Sequence, residues 1–380
     1  RKDVPALKSP SFRKHNPTHE NAMDLMKQGY LHLTDISIGH TNPFGSQGNN
    51  PPYSVIGTFC HLEWSKHKAD PAAVPMFKDL QKKSPACSGT RSQIDLFTAV
   101  SEARKYDKIN ESVKIHSMAP RGFVFHESRC GSTLVANSLA FFDAEKNRVY
   151  SESGPPIAAA KAFDPDFEEA SIQLMRDVIY LMGRTDDLKE ENLFFKVQSI
   201  GSKSIWAFRK AFPITPWIYV YRDPVQVMKS HLKVKGTQNA VCLRSQRHPS
   251  KDIAELAQQI GNTSPHQLST EKFCAAHLAT LCQAAEKEIV DARGIGRLVN
   301  YADLPNILIE DIIPFHFMKQ NSPLSAETTE RIIKVNEKYS KGRDTNKDWA
   351  EDSEQKEATA WEEMKDASKE YLYPVYERME

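Results

Sequence analysis

From residue 121 onward, short apolar segments alternate with longer stretches whose apolar residues recur at helical spacing. The short segments are rich in β-branched and aromatic residues, as buried strands are; they read GFVFHE, NRVYSE, NLFFKVQ, PWIYVYR and GRLVNYAD. The stretches that predict helices read STLVANSLAFF, FEEASIQLMRDVIYLMG, SKSIWAFRKAF, VQVMKSHLKV and TEKFCAAHLATLCQAAEKEIVDAR. This alternation predicts an α/β fold with a central, mainly parallel sheet and helices on both faces.

The connections between parallel strands indicate where functional residues should lie. Right-handed crossovers bring the loops that follow the strands to one edge of the sheet. Ligands bind at that edge in open α/β sheets. We therefore expect the functional residues at the carboxyl ends of the predicted strands and in the loops that follow them.

Residues 1–115 have a different pattern and are predicted to be an N-terminal extension, whereas residues 116–380 form the α/β domain. The segment IGHTNPFGSQGNNPPYS is rich in Gly, Pro and Asn and predicts a long surface loop. Short helical patterns such as ENAMDLMKQGYLHL flank this loop. The extension contains no repeat and no motif that indicates a particular chemistry.

The C-terminal part of the chain is polar and helical. The segment SAETTERIIKVNEKYSK predicts a helix with Ser325 as its N-cap and Gly342 just past its end. The next segment, GRDTNKDWAEDSEQKE, is highly charged and predicts a solvent-exposed loop. A final helix is predicted over ATAWEEMKDASKEYLY.

The first predicted strand leads into a glycine-containing turn and then into a helix, the arrangement of a phosphate-binding loop. A Walker A loop requires G-x-x-x-x-G-K-[ST], but His126 stands at the first Gly and Ser132 at the Lys. A Mg²⁺-dependent kinase is therefore disfavoured. An anion site remains, because Gly131 allows close backbone approach and Arg129 adds a positive charge. The hydroxyls of Ser132 and Thr133 add further donors.

A second anion-binding element follows in PWIYVYRDPVQVMKSHL. Arg222 ends the predicted strand and offers two parallel donors to an anion. Pro224 begins the next helix, and Ser230 lies about two turns along it. SRCGSTL and PWIYVYRDPVQVMKSHL, in this order, resemble the two nucleotide-binding elements of sulfotransferases that use 3′-phosphoadenosine-5′-phosphosulfate (PAPS). Cytosolic members carry Lys at the position of Arg129, whereas Golgi-type and many bacterial members carry Arg.

The resemblance covers roughly residues 120 to 350 and implies three groups of nucleotide-binding residues. The loop that holds the 5′-phosphosulfate would consist of Arg129, Cys130, Gly131, Ser132 and Thr133. Cys130 would be a small packing residue within this loop. The residues that bind the 3′-phosphate would be Arg222 and Ser230. The segment YSKGRDTNKDW resembles the family's late basic-glycine loop, whose counterparts here are Lys341, Gly342 and Arg343.

Sulfuryl transfer needs cations at the oxygens that gain charge and a general base that takes the acceptor's proton. Arg129 and the loop amides would stabilise the leaving 5′-phosphate. Glu152, at the end of the second strand in RVYSESGPP, is the proposed base, since Golgi-type and bacterial relatives often carry Glu in that neighbourhood. Lys196 lies between apolar residues of the third strand, where a charge is costly without a partner. We assign Lys196 to the bridging or leaving-group oxygen.

Two histidines compete with Glu152 for the role of general base. His126 ends the first strand, and His231 lies in the helix that follows the fourth. Cytosolic sulfotransferases have a His after the third strand, but Gln198 and Ser199 stand there in this chain. The sequence therefore leaves the base open among Glu152 and the two histidines.

Composition narrows the possible partners only slightly. With 380 residues, 40% hydrophobic and 26% charged, the chain has the make-up of a globular protein. A net charge of +1 argues against a general nucleic-acid binder. No apolar run approaches the length needed to span a bilayer. We expect a soluble protein, in the cytoplasm, or in the Golgi or secretory lumen if a leader has been removed.

The cysteines and histidines indicate no metal site. The six cysteines, none of them in a C-x-x-C pair, are Cys60, Cys87, Cys130, Cys242, Cys274 and Cys282. They indicate neither a zinc ribbon nor a dense disulfide framework, and they leave one or two disulfides open. The spacing of His61, Glu63 and His67 matches no metal site. The N-x-S/T motifs at Asn110 and Asn262 would permit glycosylation in a secretory compartment.

The function expected from the sequence is transfer of the sulfuryl group from PAPS to a hydroxyl or amine, without a metal. The product nucleotide would be 3′-phosphoadenosine-5′-phosphate, and the acceptor a small molecule, a lipid or a carbohydrate. Residues 1–115 would help to shape the acceptor pocket. Two alternatives stay open: a Mg²⁺-dependent P-loop kinase or phosphotransferase, and a catalytically inactive protein of the same fold that serves as a scaffold.

Overall fold

The computed structural model describes residues 19–40, 53–89, 91–109, 116–292, 294–338, 340–343, 348, 350 and 352–380. The strands are β1 His32–His40, β2 Tyr53–Cys60, β3 Ser92–Asp95, β4 His116–Ser117, β5 Pro120–His126, β6 Asn147–Ser151, β7 Arg184–Thr185, β8 Asn192–Lys196, β9 Trp217–Tyr221 and β10 Gly296–Asn300. The first α-helices are α1 His19–Lys27, α2 Trp64–Ala69, α3 Phe77–Lys83, α4 Leu96–Ile109, α5 Ser132–Phe141, α6 Gly154–Lys161 and α7 Glu168–Met182.

The remaining α-helices are α8 Ile205–Ala211, α9 Pro224–Leu232, α10 Lys251–Gly261, α11 Thr270–Val290, α12 Ala326–Asn336, α13 Ser353–Ala358, α14 Glu362–Ala367 and α15 Tyr373–Met379. Two helical segments have the wider π-type winding, Leu308–Phe317 and Ser368–Leu372. Short 3₁₀ turns span Pro85–Cys87, Pro165–Phe167, Ser199–Ser204, Val241–Leu243, Pro265–Gln267 and Tyr301–Asp303.

A five-stranded sheet forms the centre of the protein, with the strand order β10-β9-β5-β8-β6. Every neighbouring pair in it is parallel. The register places His126 beside Val220 and Lys196 beside Ser151, so the strands end at one common edge. All five predicted strands are present, and the predicted parallel sheet is confirmed. Because β5 lies in the middle, the loop that follows it reaches the centre of that edge.

Side chains on successive strand positions point to opposite faces, and helices cover both faces. On one face, Val124, Phe194 and Ile218 pack with α5, α12 and the segment Leu308–Phe317. On the other face, the neighbouring residues Phe123, Phe195 and Trp217 pack with α7, α8 and α11. Both faces are therefore buried, which explains why these strands read as continuous apolar runs.

Residues 1–115 contain a small antiparallel sheet that the sequence reading did not predict. Its strand order is β1-β2-β3. The predicted loop IGHTNPFGSQGNNPPYS is wrong at both ends, because β1 runs to His40 and β2 begins at Tyr53; residues 41–52 lie outside the described part. Leu33 and Val55 pack in the same apolar core as Tyr150 of β6. The described part of the extension therefore shares a core with the central domain.

Four of the six cysteines form two disulfides, Cys60–Cys87 and Cys242–Cys274. The first connects β2 to the 3₁₀ turn Pro85–Cys87, and the second connects the turn Val241–Leu243 to α11. Cys130 and Cys282 are unpaired and buried. The sequence had left the choice between one, two or no disulfides open.

The prediction for the C-terminal part of the chain is confirmed at the N-terminus of α12 and is wrong for the residues after that helix. Ser325 is the N-cap, and its hydroxyl accepts the backbone N–H of Thr328. The helix ends at Asn336, so Gly342 is not its C-cap glycine. The charged segment contains most of α13, and Thr359, Ala360 and Trp361 separate α13 from α14. Within the described residues, no helix combines the length and apolarity required to cross a bilayer.

Candidate functional site

A cavity of about 420 Å³ lies at the carboxyl edge of the central sheet. It is formed by the turns after β5, β6 and β9, by α9 and by residues between Ser340 and Thr359. The residues proposed from the sequence that line it are Arg129, Gly131, Ser132, Thr133, Glu152, Arg222, Ser230 and Lys341. Residues far apart in the sequence thus meet in one place. Cys130 and Lys196 lie directly behind this lining.

The loop after β5 has an unusual backbone. Ser128 and Arg129 have φ values of 87° and 60°, a region that residues other than glycine rarely adopt. Gly131 has φ 85°, and a Cβ built there would come within 2.4 Å of the Tyr301 ring. Only glycine fits without a shift of that ring. The chain thereby turns so that the N-terminus of α5, with Ser132 and Thr133, faces the cavity and can bind an anion.

Cys130 anchors this loop to the sheet. Its Sγ donates to the backbone carbonyl of Val220 in β9 at 3.0 Å, and the side chain is completely buried. Burial, with a further contribution from Glu127, raises the pKa of the Cys130 thiol to about 12. The thiol therefore stays neutral and packs behind the loop.

Glu127 joins the two anion-binding elements, and the sequence reading missed it. Its carboxyl group is buried and accepts the backbone N–H of Arg222 at 3.2 Å. Its own backbone N–H donates to the carbonyl of Val220. Burial raises the pKa of Glu127 well above the ordinary range, which favours the protonated, neutral form. The sequence did contain a usable signal for Glu127. A charged carboxylate in a phosphate-binding loop would repel an anionic ligand, so a glutamate there suggests a neutral, structural role.

Arg222 is held from several sides at the second element. Its Nε donates to Gln226 Oε1 at 2.7 Å, and one terminal nitrogen donates to Asp352 Oδ1 at 3.1 Å and to Ser353 Oγ at 2.8 Å. The guanidinium carbon lies 3.9 Å from the centroid of the Tyr301 ring. These contacts fix the plane of the guanidinium, as recognition of a tetrahedral anion requires.

Helix α9 places Ser230 on the same cavity. Asp223 caps the helix by accepting the backbone N–H groups of Val225 and Gln226 at 2.9 and 3.0 Å. The Ser230 hydroxyl donates to the carbonyl of Gln226 at 2.9 Å, and Ser230 lines the cavity. Arg222 and Ser230 are thus brought together, as the sequence motif predicted.

Glu152 and Lys196 form an ion pair at the floor of the cavity. Lys196 Nζ contacts Glu152 Oε1 directly, the lysine side chain is buried, and 31% of the glutamate side chain is exposed. Burial would raise the pKa of Glu152, but Lys196, His126 and Lys341 outweigh it and lower the pKa to about 2. Glu152 has φ 60°, and its backbone N–H donates to the Lys196 carbonyl at 2.7 Å. The buried ammonium of Lys196 is therefore paired with a carboxylate, and the side chain of Glu152 is ionised.

The two histidines that competed for the base role differ in position. His126 lines the cavity, whereas His231 is not among the described lining residues. Burial, with Arg129, His277 and Lys341, lowers the pKa of His231 to about 3. Burial, with Lys196 and Lys341, lowers the pKa of His126 well below its usual range. Both rings are therefore neutral near pH 7.

The basic-glycine segment is split between two locations. Lys341 lines the cavity close to Lys196, Glu152 and Arg129; burial and the two cations lower its pKa to about 8. Arg343 instead pairs with Asp79 at 3.3 Å, and its backbone N–H donates to the carbonyl of Ala72. The structure does not bring Gly342 or Arg343 to the described cavity lining.

Three lysines of the cavity were not identified from the sequence: Lys229, Lys233 and Lys356. Lys229 donates to the carbonyl of Thr359 at 2.9 Å, and Lys356 contacts Asp352 at 2.6 Å. Lys229 and Lys233 belong to α9 and its C-cap, and their proximity to Ser230 in the sequence was a usable signal. No comparable signal pointed to Lys356, which lies in the charged segment that was predicted to be a loop.

A second cavity of about 550 Å³ adjoins the first. The two share Leu134, Arg222 and Tyr301 in their linings. Asn300 and Tyr376 add polar groups to the second cavity, which has a larger apolar share than the first. Within the described residues, no group of three or more His, Cys, Asp or Glu side chains could hold a metal ion. The site thus combines a cation-rich chamber with a less polar one.

Comparison with known proteins finds similarity among solved structures. No protein-family model matches this chain, and no curated protein matches it. Among solved structures, the chain is similar to the sulfotransferase STF9 from Mycobacterium avium, with 13% sequence identity and a TM-score of 0.35. The match covers 72% of this chain and 77% of that chain. A TM-score this low supports no conclusion about activity, so the function has to be derived from the residues of the site.

Proposed function

We propose that the protein transfers the sulfuryl group of PAPS to a hydroxyl or amine of an acceptor. One observation carries this proposal. Two separate anion-binding elements, the loop at Arg129–Thr133 and the pair Arg222 and Ser230, open into one cavity that also contains Glu152. A nucleotide with phosphates on both its 5′ and 3′ sides needs two such elements, whereas ATP needs one continuous site and a bound metal.

The arrangement supports one orientation of the nucleotide. The 5′-phosphosulfate would lie on the turn before α5, near Glu152 and Lys196, and the 3′-phosphate on Arg222 and Ser230. The base would then enter the second cavity, because that cavity shares Arg222 and Tyr301 with the first. Tyr301 offers an aromatic surface for it. Side-chain cations in the cavity, rather than a Walker lysine, would balance the charge of the ligand.

The Glu152–Lys196 pair explains how a strongly acidic carboxylate could act as a base. While Lys196 holds Glu152, the pKa of the carboxyl is about 2 and its affinity for a proton is low. A phosphosulfate in the loop would compete for the ammonium of Lys196. Once Lys196 turns to the bridging oxygen, Glu152 loses its strongest cationic partner, and its pKa rises. Donor binding would thus activate the base.

The proposed transfer needs only PAPS, the acceptor and residues of this chain. The acceptor oxygen or nitrogen bonds to sulfur in line with the breaking bond between sulfur and the bridging oxygen. The electron pair of that bond stays on the bridging oxygen, where Lys196 and Arg129 stabilise the negative charge. The acceptor's proton passes to Glu152 and then to solvent. The products are the sulfated acceptor and 3′-phosphoadenosine-5′-phosphate.

Calorimetric titration with 3′-phosphoadenosine-5′-phosphate, compared with ATP and Mg²⁺, tests the nucleotide class. We expect tight binding of the bisphosphate without metal, and weaker binding to Arg222→Ala. Arg343→Ala is the matched control, since Arg343 pairs with Asp79 outside the cavity lining. Preference for Mg²⁺-ATP would favour the kinase alternative. Binding of the bisphosphate without any turnover of PAPS would favour the inactive scaffold.

An acceptor screen follows if the bisphosphate binds. Small alcohols, amines, lipids and simple sugars are the classes to test with PAPS, because a net charge of +1 gives no support for a long polyanionic glycan as acceptor. Sulfated product, identified by mass, would define the acceptor. The N-terminal extension is the region to mutate next, since β1 packs against α6, which directly follows Glu152.

A further inference from the structure

His126 lies where the phosphate loop meets the candidate base. It is the last residue of β5 and is 3% exposed. Its Nδ1 accepts the backbone N–H of Ser128 at 3.0 Å. Because Nδ1 is an acceptor, the neutral ring carries its proton on Nε2. Nε2 lies 3.8 Å from Glu152 Oε1 and makes no hydrogen bond of regular geometry in the described part of the chain; the ring also contacts the Val197 carbonyl.

Both ring nitrogens of His126 are thus unsuited to take a proton from the acceptor. Nδ1 is occupied by Ser128, and Nε2 already bears a proton. The charged groups that face the ring are Glu152, Lys196 and Lys341, and the Val197 carbonyl also lies near it. The two lysines and burial oppose a second proton on the ring. The ring therefore presents an N–H donor 3.8 Å from the Glu152 carboxylate.

We propose that His126 is a positioning residue: it holds Glu152 in place after Lys196 has turned to the phosphosulfate. This inference rests on the proposed function. When Lys196 leaves, Glu152 needs another donor to keep its orientation, and the Nε2–H of His126 faces it. A movement of about 1 Å closes the present gap to hydrogen-bond distance. The buried N–H then gains a carboxylate as its hydrogen-bond acceptor.

The same ring also supports the phosphate loop. Ser128 has φ 87°, which costs free energy for a residue with a side chain. The hydrogen bond from its N–H to Nδ1 offsets part of that cost and fixes the turn that directs Arg129 into the cavity. His126 thereby connects the positions of the base and of the anion site through its two nitrogens.

Two amide substitutions separate the two roles. Asparagine places an amide oxygen near the position of Nδ1, so His126→Asn keeps an acceptor for Ser128 and loses the donor to Glu152. Glutamine places an amide nitrogen near the position of Nε2, so His126→Gln keeps that donor and loses the acceptor. PAPS cleavage is followed as release of 3′-phosphoadenosine-5′-phosphate with water as acceptor, and affinity for this bisphosphate is measured by calorimetry.

We expect opposite results for the two variants. His126→Asn should keep the bisphosphate affinity, lower kcat about tenfold and move the acid limb of the pH–rate profile upward by about one pH unit, because Glu152 loses a donor to its ionised form. His126→Gln should keep the position of that limb and bind the bisphosphate about tenfold more weakly. Identical behaviour of the two variants, or an unshifted limb in His126→Asn, would overturn the proposal.

A measurement on the unmodified protein keeps the test independent of the variants' folding. In protein labelled with ¹⁵N-histidine, His126 should show the neutral Nε2–H tautomer from pH 5 to 8, and its Nε2–H signal should shift when PAPS binds. Protonation of the ring in this range, or the Nδ1–H tautomer, contradicts the inference. If the unmodified protein binds no bisphosphate, the proposed function itself fails, which is a different result.

Discussion

Arg222 and Asp352 form an ion pair at 3.1 Å within the cavity. The arginine side chain is 5% exposed, whereas the carboxylate is 45% exposed. Burial tends to raise the pKa of Asp352, but Lys356 and Arg222 lower it, so the group is ionised. The guanidinium that we assign to the 3′-phosphate therefore already binds an internal anion. A nucleotide has to displace this carboxylate or share the guanidinium with it.

Asp352→Asn should raise the affinity for 3′-phosphoadenosine-5′-phosphate by about three- to tenfold, because the ligand no longer competes with a charged carboxylate for Arg222. Titration calorimetry at constant salt measures the change. Glu354→Gln is the matched control: it removes the same charge from the first turn of α13, at an exposed position. Equal effects of the two substitutions would indicate general electrostatics and would contradict specific competition at Arg222.

Glu152→Gln should keep or increase the affinity for the bisphosphate and lower the turnover of PAPS by about 10². The amide cannot accept the acceptor's proton, while Lys196 becomes available to the ligand. PAP release and calorimetry on the same preparation give both values. Glu169→Gln, at an exposed position of α7, serves as the control. If Glu152→Gln turns over at the unmodified rate, the base must be sought elsewhere.

Lys341 should make nucleotide binding sensitive to alkaline pH. Its pKa of about 8 means that the cation is lost as the pH rises through this value, and the site then attracts anions less strongly. The second ionisation of both phosphates, with a pKa of about 6, is largely complete at pH 7, and the small remainder would strengthen rather than weaken binding as the pH rises. Affinity should fall severalfold between pH 7 and 9.5.

Lys341→Arg provides the comparison for this pH dependence, because arginine keeps its charge throughout the range. Calorimetry of this variant should give nearly the same affinity at pH 7 and 9.5. A fall as steep as that of the unmodified protein would show that another group titrates, and Lys341 would lose the assigned role.

The central sheet was predictable from the sequence because each strand is buried on both faces and reads as an apolar run. The positions of the site residues were predictable for the same reason. Glu152 and Arg222 directly follow strand ends, Arg129 lies three residues after one, and parallel strands bring those ends together. Their assembly into one cavity is thus a consequence of topology.

Other features of the fold and of the site depend on contacts between residues far apart in the sequence. A local sequence pattern carries no information about such contacts. Lys356 reaches the cavity only because α13 packs on α9. Arg343 pairs with Asp79, a carboxylate of the N-terminal extension, and no sequence pattern indicates this pairing. The β1-β2-β3 sheet was missed because a Gly- and Pro-rich segment separates its first two strands and resembles one continuous loop.

The disulfide Cys242–Cys274 should contribute measurably to stability. It closes a loop with a sequence separation of 32 residues, for which chain entropy predicts a contribution of about 3 to 4 kcal/mol to the free energy of unfolding. The double variant Cys242→Ser with Cys274→Ser should show this loss in denaturant unfolding, whereas Cys282→Ala, at a buried unpaired cysteine, should lose less.

Thiol alkylation of the denatured, unreduced protein should label two of the six cysteines, Cys130 and Cys282. Labelling of all six would show that neither disulfide forms, and the double variant should then lose only the smaller cost of replacing two buried thiols by hydroxyls.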